Sequence, residues 1–165
     1  MRLARVAVLL VAIGVPVDAA EPLDPVLYSE IQRLAAMLTD GFATLDQADA
    51  YRFGPKAALS DHVVVMLAMT SWGGGNGSRQ FMAVFRHNES SDPFPDGRQA
   101  RPYQFVGLVQ VGSGFDRWFK KVELRQNLVV LTGRRWARSD AHCCPSLPAR
   151  AVYRVSEHGL NQDTP

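Results

Sequence analysis

The stretch HVVVMLAM, residues 62–69, is apolar and rich in β-branched side chains from end to end. A strand with one wet face would alternate apolar and polar residues, so this run predicts a central strand that is covered on both faces. Further strands are predicted over QFMAVFR (80–86), YQFVGLVQV (103–111) and AVYRV (151–155). The chain beyond residue 60 is therefore expected to form a sheet.

Residues 119–135 predict a hairpin around the two-residue turn Gln126-Asn127, where asparagine tolerates a positive φ. The resulting register separates an apolar face from a charged one, which supports it. It gives three cross-strand pairs: Leu124 with Val129, Val122 with Leu131, and Trp118 with Arg135.

One strong helix is predicted before the sheet, from Pro25 to Leu38, with Asp24 as its cap. The segment that follows has no clear period, and a second short helix around Leu45 to Tyr51 is one interpretation. Strands then follow strands without helices between them. The expected fold is therefore α+β: an antiparallel sheet of about five to six strands, within residues 60–160, with the N-terminal helix packed on one face.

The N-terminus has the order of a secretory signal peptide: Arg2 and Arg5, an apolar run from Val6 to Val15, then small residues up to Ala19. Cleavage after Ala19 leaves residues 20–165 as one domain. The apolar run is shorter than the roughly 20 residues of a spanning helix, and no cysteine near the cut forms a lipobox. We therefore predict a periplasmic or secreted bacterial protein with no transmembrane segment in the mature chain.

Composition argues against two classes of protein. The formal net charge of the 165 residues is +2, which gives no basic footprint for nucleic acid. At 47% hydrophobic residues the chain can bury an ordinary core, unlike a disordered protein. We predict no nucleic-acid partner and no cofactor.

Cys143 and Cys144 are the only cysteines of the chain, and they are adjacent. Neighbouring Cα atoms lie about 3.8 Å apart, below the usual disulfide range of about 4.4–6.8 Å. A bridge between them would also close almost no loop, so it would stabilise the fold little. Three alternatives stay open: a vicinal disulfide that shapes a turn, two buried free thiols, or a thiol site.

The run Asp140-Ala141-His142-Cys143-Cys144-Pro145-Ser146 resembles the D-x-x-C-C-P-S/T ending of the LppP/LprE-type lipoproteins, a family of small exported bacterial proteins. The glycine-rich turn, polar loop and hairpin upstream are similar in order, so the resemblance covers roughly residues 60–160. The chain departs from the family in lacking a lipobox cysteine and an acidic D-x-N/D-x-D-G run before residue 62. The resemblance implies an exported domain, and the family has no assigned activity.

Trp72 and the loop after it, Gly73, Gly74, Gly75 and Asn76, are the candidate contact surface. The loop is no phosphate cradle, because it lacks the G-K-[ST] ending and a following helix. A plain hairpin loop is the simpler interpretation of these glycines.

His142, Cys143 and Cys144 are the alternative site, since thiolates and imidazole suit copper(I) or zinc. Adjacent residues rarely converge on one ion, however, so a structural turn is the simpler interpretation. Redox chemistry is a further alternative for the pair, although the usual C-x-x-C at a helix start is missing.

A basic aromatic cluster, Arg134, Arg135 and Arg138 with Trp136, suits an acidic partner or an anionic glycan, or is a solvated strand end. No histidine lies in a nucleophile motif, and no catalytic residue is assigned. We expect a non-catalytic binding or structural module with a protein or glycan partner in the cell envelope. The alternatives are a thiol-based periplasmic metal-handling or redox protein, and an inhibitor of an extracellular enzyme that acts through residues 88–102.

Overall fold

The computed structural model describes residues 22–88, 101–141 and 143–163. The predicted signal peptide, His142 and most of the 88–102 loop lie outside these ranges. One helix and eight strands are described: α1 Pro25–Leu38, β1 Thr44–Arg52, β2 His62–Trp72, β3 Gly77–His87, β4 Tyr103–Ser113, β5 Arg117–Arg125, β6 Leu128–Arg135, β7 Leu147–Ser156 and β8 Gly159–Gln162. Each strand pairs antiparallel with its neighbour in the chain, so the sheet order is β1 to β8.

The predicted α+β class with five to six strands is wrong, because the described residues are mostly sheet and form eight strands. The largest miss is β1, where a short helix was one interpretation. Its Ala, Gln and Asp residues are poor strand formers, but pairing with the buried β2 along nearly its whole length overrides that preference. The other miss is β8, a four-residue strand after the turn at Gly159.

Helix α1 begins as the capping pattern predicts. The Asp24 carboxylate accepts a hydrogen bond from the Val26 amide at 2.9 Å, and Pro25 occupies the first turn. The other Asp24 oxygen accepts from the Tyr103 hydroxyl at 2.8 Å. The hydrogen bond from the Val26 amide, and to a smaller extent the one from Tyr103, lowers the pKa of Asp24. The bond to Tyr103 also fixes the start of α1 against β4.

The sheet folds back on itself at the turn between β4 and β5, where Ser113 and Arg117 form the only described pair. Gly112 permits this corner, because a Cβ there would collide with the Arg117 carbonyl oxygen. Strands β5–β8 then lie over one face of β1–β4, while α1 covers the other. The result is three layers with two cores.

The outer core lies between α1 and β1–β4. It joins one face of the helix, including Leu27 and Ile31, to the odd-numbered side chains of β2, such as Val65 and Leu67. The inner core lies between the two halves of the sheet and includes Val64, on the opposite face of β2. Strand β2 is thus covered on both faces, as its uninterrupted apolar run predicts.

The β5–β6 hairpin has the predicted register near its turn. Leu124 pairs with Val129, Val122 pairs with Leu131, and all four contribute to the inner core. The positive φ falls on Gln126, not on the asparagine beside it. A bulge between Phe119 and Lys121 then shifts the register, so Trp118 pairs with Arg134 and not with Arg135. The predicted Trp118–Arg135 pair is therefore wrong.

Candidate functional site

The residues of the predicted contact surface lie in two places: Trp72 packs on the outer core, whereas Asn76 lines a cleft. The Trp72 ring packs on the outer core, 6.2 Å from the Phe81 ring between centroids, and the Arg79 guanidinium lies 4.0 Å from its centre. The indole N–H is buried. These contacts make Trp72 an anchor of the β2–β3 hairpin.

The glycine loop is tied to the segment between α1 and β1. The Gly73 amide donates to the Asp40 carboxylate at 2.7 Å, and the Phe42 and Ala43 amides donate to its other oxygen. The hydrogen bonds from these amides lower the pKa of Asp40, and the bond from Gly73 has the largest effect. Gly73 and Gly74 both have positive φ, which glycine adopts at little cost. The loop is therefore held in place by hydrogen bonds of its backbone, and its Asn76 lines a cleft.

That cleft, which we call the aromatic cleft, has a volume of about 610 Å³. Its walls carry three aromatic rings and three small hydrogen-bonding side chains. Its lining residues are Thr70, Asn76, Ser78, Gly114, Phe115, Trp118 and Trp136. Known ligand pockets range over about 300–1,000 Å³ and combine aromatic walls with a few polar groups, so this cleft has the size and lining of a binding site.

Backbone hydrogen bonds hold the three walls of the aromatic cleft together. The Gly114 amide donates to the Ser78 carbonyl at 2.9 Å, which joins the β4–β5 turn to β3. The Trp136 amide donates to the Asp116 carbonyl at 3.0 Å, which joins the end of β6 to the same turn. The rings are therefore presented by a braced corner of the sheet.

A second cavity of about 250 Å³, the inner pocket, lies between β1–β3 and β5 and shares Trp118 with the aromatic cleft. It is lined by Gln47, Asp49, Tyr51, Met66, Ala68, Gln80, Trp118, Phe119, Lys120 and Val122. Two amides, a carboxylate, a phenol hydroxyl and an ammonium thus share this space with the apolar side chains of Met66, Ala68, Phe119 and Val122.

Gln80 shows how the inner pocket is built. Its side-chain amide donates to the Phe119 carbonyl at 2.8 Å, and its oxygen accepts from the Phe119 amide at 2.9 Å. Gln80 is buried, and it pairs with the β5 backbone as a neighbouring strand would. The Gln80 side chain takes the place of a strand partner for Phe119, because β5 has already separated from β4 and buried backbone groups need hydrogen-bond partners.

Tyr51 and Asp49 set the electrostatics of the inner pocket. Burial raises the pKa of the Tyr51 phenol, and the Asp49 charge raises it further. Asp49 itself accepts a hydrogen bond from the Gln47 amide at 2.7 Å, on the same edge strand. The pocket thus offers a neutral hydroxyl and a carboxylate side by side.

Cys143 and Cys144 are joined in a disulfide, and both residues are exposed. Their loop is organised by Asp140, whose carboxylate accepts from the Ala137 amide at 2.6 Å and the Ser146 amide at 2.9 Å. The hydrogen bonds from these amides lower the pKa of Asp140, and the bond from Ala137 has the largest effect. In the bonded form neither sulfur is a thiolate, the form that binds metals.

Within residues 22–88, 101–141 and 143–163, no group of three or more His, Cys, Asp or Glu could hold a metal ion. A carboxylate–imidazole pair does occur, with Asp61 Oδ1 at 2.6 Å from the Nδ1 atom of the buried His62. It lies at the start of β2, about 30 Å along the strand from Trp72. The His62 side chain is buried, whereas the Asp61 side chain is 43% exposed, and neither residue lines the aromatic cleft or the inner pocket.

No protein-family model, curated protein or solved structure matches this chain. The comparisons do not bear on the resemblance to the LppP/LprE-type lipoproteins, which stays a prediction. The described part of the chain contains no helix long and apolar enough to cross a membrane.

Two of the seven residues that line the aromatic cleft, Asn76 and Trp136, were predicted as candidate contact residues from the sequence. Trp118 was predicted only as a hairpin residue, and Phe115 was missed. The available signal was the spacing Phe115-Asp116-Arg117-Trp118, which brackets a turn with two aromatic rings. Its meaning depends on the corner between β4 and β5, which no local pattern specifies.

Proposed function

We propose that the protein is an exported, non-catalytic binding module whose ligand occupies the aromatic cleft. The observation that carries this proposal is the cleft itself: about 610 Å³, with Phe115, Trp118 and Trp136 on its walls and hydroxyl and amide groups among them. Aromatic walls supply contact area, while a few fixed polar groups supply orientation.

The braced geometry supports binding over a merely structural role. A cleft that served only to fold the chain would gain more by closing, because buried aromatic surface stabilises a protein by about 25 cal/mol per Å². Here Phe115 remains 65% exposed. Its ring lines the same cleft as the half-buried Trp118 and Trp136, and contiguous apolar surface of this kind is typical of surfaces that meet a partner.

Export is part of the proposal and depends on the N-terminal sequence. The charged start at Arg2 and Arg5, the apolar run and the small residues before the cut at Ala19 support a periplasmic or secreted location. A disulfide between Cys143 and Cys144 fits an oxidising compartment.

Tryptophan indole signals in a ¹⁵N NMR spectrum test the binding proposal. The chain has three tryptophans, so each indole N–H gives one signal that a single Trp→Phe variant assigns. A library of small soluble fragments, short peptides and oligosaccharides should include compounds that shift the signals of Trp118 and Trp136. Trp72 is the internal control, because its indole packs on the outer core.

Shifts confined to Trp72, or no shift from any compound, would contradict a binding role for the aromatic cleft. Shifts of all three indoles together would indicate a global change in the fold and would also contradict it.

One observation favours a second candidate, a thiol-based redox protein. A purely structural pair is expected to be inaccessible, yet Cys143 and Cys144 are both exposed. A vicinal disulfide between exposed residues can be attacked by an external dithiol. Intact mass with an alkylating agent tests this: a redox protein takes up two alkyl groups after brief treatment of the folded protein with a dithiol. An unmodified mass under the same treatment would eliminate the redox candidate.

A further inference from the structure

The lining of the aromatic cleft is uncharged. Each of its seven described residues is neutral: Thr70, Asn76, Ser78, Gly114, Phe115, Trp118 and Trp136. An ionised group that leaves water without a partner of opposite charge loses much solvation free energy. The lining of this cleft therefore favours a neutral ligand.

Two arginines of the predicted basic cluster lie close to the cleft in the chain but do not line it. Arg134 donates to the Ser146 carbonyl at 2.8 Å and so braces the loop between β6 and β7. Arg135 pairs with Arg117, the residue before Trp118. Because side chains alternate along a strand, this pair lies on the face of the hairpin opposite Trp118.

Trp118 and Trp136 occupy adjacent positions on one face of the β5–β6 hairpin. Trp118 pairs with Arg134, and Trp136 follows Arg134 by two residues, so the two tryptophans share a face. The Trp136 amide donates to the Asp116 carbonyl at 3.0 Å, which extends the ladder to this position. Such diagonal neighbours are typically about 7–8 Å apart. Two indoles therefore line the cleft side by side, as a surface that can contact successive units of a linear ligand.

The polar groups of the cleft suit hydroxyls. Thr70 and Ser78 contribute hydroxyls and Asn76 contributes an amide, and each of these groups can both donate and accept a hydrogen bond. A sugar hydroxyl also donates and accepts. The face of an indole carries negative charge density, so it attracts the slightly positive C–H bonds on the apolar face of a sugar ring.

We propose that the aromatic cleft binds a linear neutral oligosaccharide, with sugar rings stacked on Trp118 and Trp136 and hydroxyls bonded to the polar groups between them. The inference rests on the proposed binding function. A proline-rich peptide also docks in aromatic-lined grooves, but proline has no N–H to donate. Such a peptide would leave the acceptors of Thr70, Ser78 and Asn76 unused, so the lining favours a sugar.

Calorimetric titration of the purified mature chain tests the inference with four probes. Two are neutral hexasaccharides, cellohexaose and maltohexaose; the others are the acidic hexagalacturonate and the peptide decaproline. At least one neutral sugar should bind with a Kd below about 1 mM. Its affinity should change by less than about twofold when salt rises from about 0.05 M to about 0.5 M, because no ion pair is formed.

Three results overturn the inference. They are no binding of either neutral sugar, a neutral-sugar affinity that falls steeply with salt, and binding of hexagalacturonate or decaproline that is as tight as that of the better neutral sugar.

Two matched pairs of variants locate the binding. Phe115→Ala should lower the affinity for the better neutral sugar by about threefold to tenfold. Phe42→Ala should leave it unchanged, although the two rings are 65% and 64% exposed. Asn76→Ala should also lower it by about threefold to tenfold, whereas Asn161→Ala, at an exposed position of β8, should not. Equal effects within either pair overturn the inference.

The indole spectrum keeps this result separate from the proposed function. Every variant must retain the dispersed indole signals of the folded protein. If fragments or peptides shift the signals of Trp118 and Trp136 but neither neutral sugar does, the sugar inference fails while the binding function stands. If nothing shifts them, both fail.

Discussion

The two faces of β1–β4 differ in what covers them. The face under α1 is closed by an apolar core that runs from Ile31 on the helix to Met69 near the end of β2. The opposite face is apolar in its middle and becomes polar toward the β4–β5 corner, at Thr70 and Gln80, where both cavities lie. One sheet therefore has a closely packed face and, at one end of its other side, the two cavities of the proposed binding site.

The backbone of the corner also needs partners that the middle of the sheet does not. Within β1–β4, neighbouring strands pair along most of their length, with local register shifts, so their backbone groups bond to one another. At the corner, β5 leaves β4 and some backbone groups lose their partner, so side chains such as Gln80 must supply the bonds. Single substitutions on each face test this difference between the two faces of β1–β4.

Gln80→Leu should give the largest effect. The change preserves volume but leaves the buried Phe119 N–H and carbonyl without a partner, at about 1–3 kcal/mol for each group. The free energy of unfolding in urea should fall by about 2–6 kcal/mol. Gln47→Leu is the control, since Gln47 is exposed and should change stability by no more than about 0.5 kcal/mol. Equal losses in the two variants would show that Gln80 does not act as a strand partner.

Two Ala→Leu changes compare the faces directly. Ala83 is fully buried in the outer core, so Ala83→Leu overpacks it and should lower the free energy of unfolding by about 1–3 kcal/mol. Ala68 lines the inner pocket, so Ala68→Leu should fill empty space at a cost below about 0.5 kcal/mol. Chemical denaturation measures both, and a larger loss at Ala68 would mean that the inner face is as tightly packed as the outer one.

The smallest expected effect is a change in the pKa of Tyr51 in the inner pocket. Asp49→Asn should lower the pKa of Tyr51, because it removes the nearby negative charge, yet the pKa should stay above the ordinary value of 10.0 because burial remains. Since the folded state holds the phenol proton more tightly than the unfolded chain, this contribution to stability is complete below pH 10.0 and is lost as pH rises through the folded pKa.

Phenolate absorbance measures this titration, with the Tyr51→Phe variant subtracted to remove the other three tyrosines. Asp46→Asn is the control on the same strand, at an exposed position. An unchanged Tyr51 titration in Asp49→Asn would place the carboxylate too far away to act.

The sequence predicts those parts of the fold that depend on local patterns. The cap at Asp24, the apolar run of β2 and the hairpin near Gln126 each depend on residues close in the chain, and each is found in the structure. Strand β1 was missed because its composition is that of a helix, and only pairing with β2 makes it a strand.

The site was harder to predict than the fold for a related reason. Its residues come from β2, the β3 start, the β4–β5 turn and the end of β6, and they meet only because the sheet folds over at Gly112. The bulge at Phe119 also changes the register before Trp118, and a two-residue period cannot show this. Asn76 and Trp136 could each be predicted as contact residues from the sequence, but their meeting in one cleft could not.

The uninterrupted order β1 to β8 has a consequence for how the molecule assembles. Each strand needs only its immediate predecessor as a template, so the sheet can lengthen hairpin by hairpin as the chain emerges from synthesis. The step that cannot be local is the laying of β5–β8 over β1–β4. The geometry of both cavities therefore arises last, when the two halves close on each other, and a chain halted after β4 would lack Phe115, Trp118 and Trp136 of the aromatic cleft.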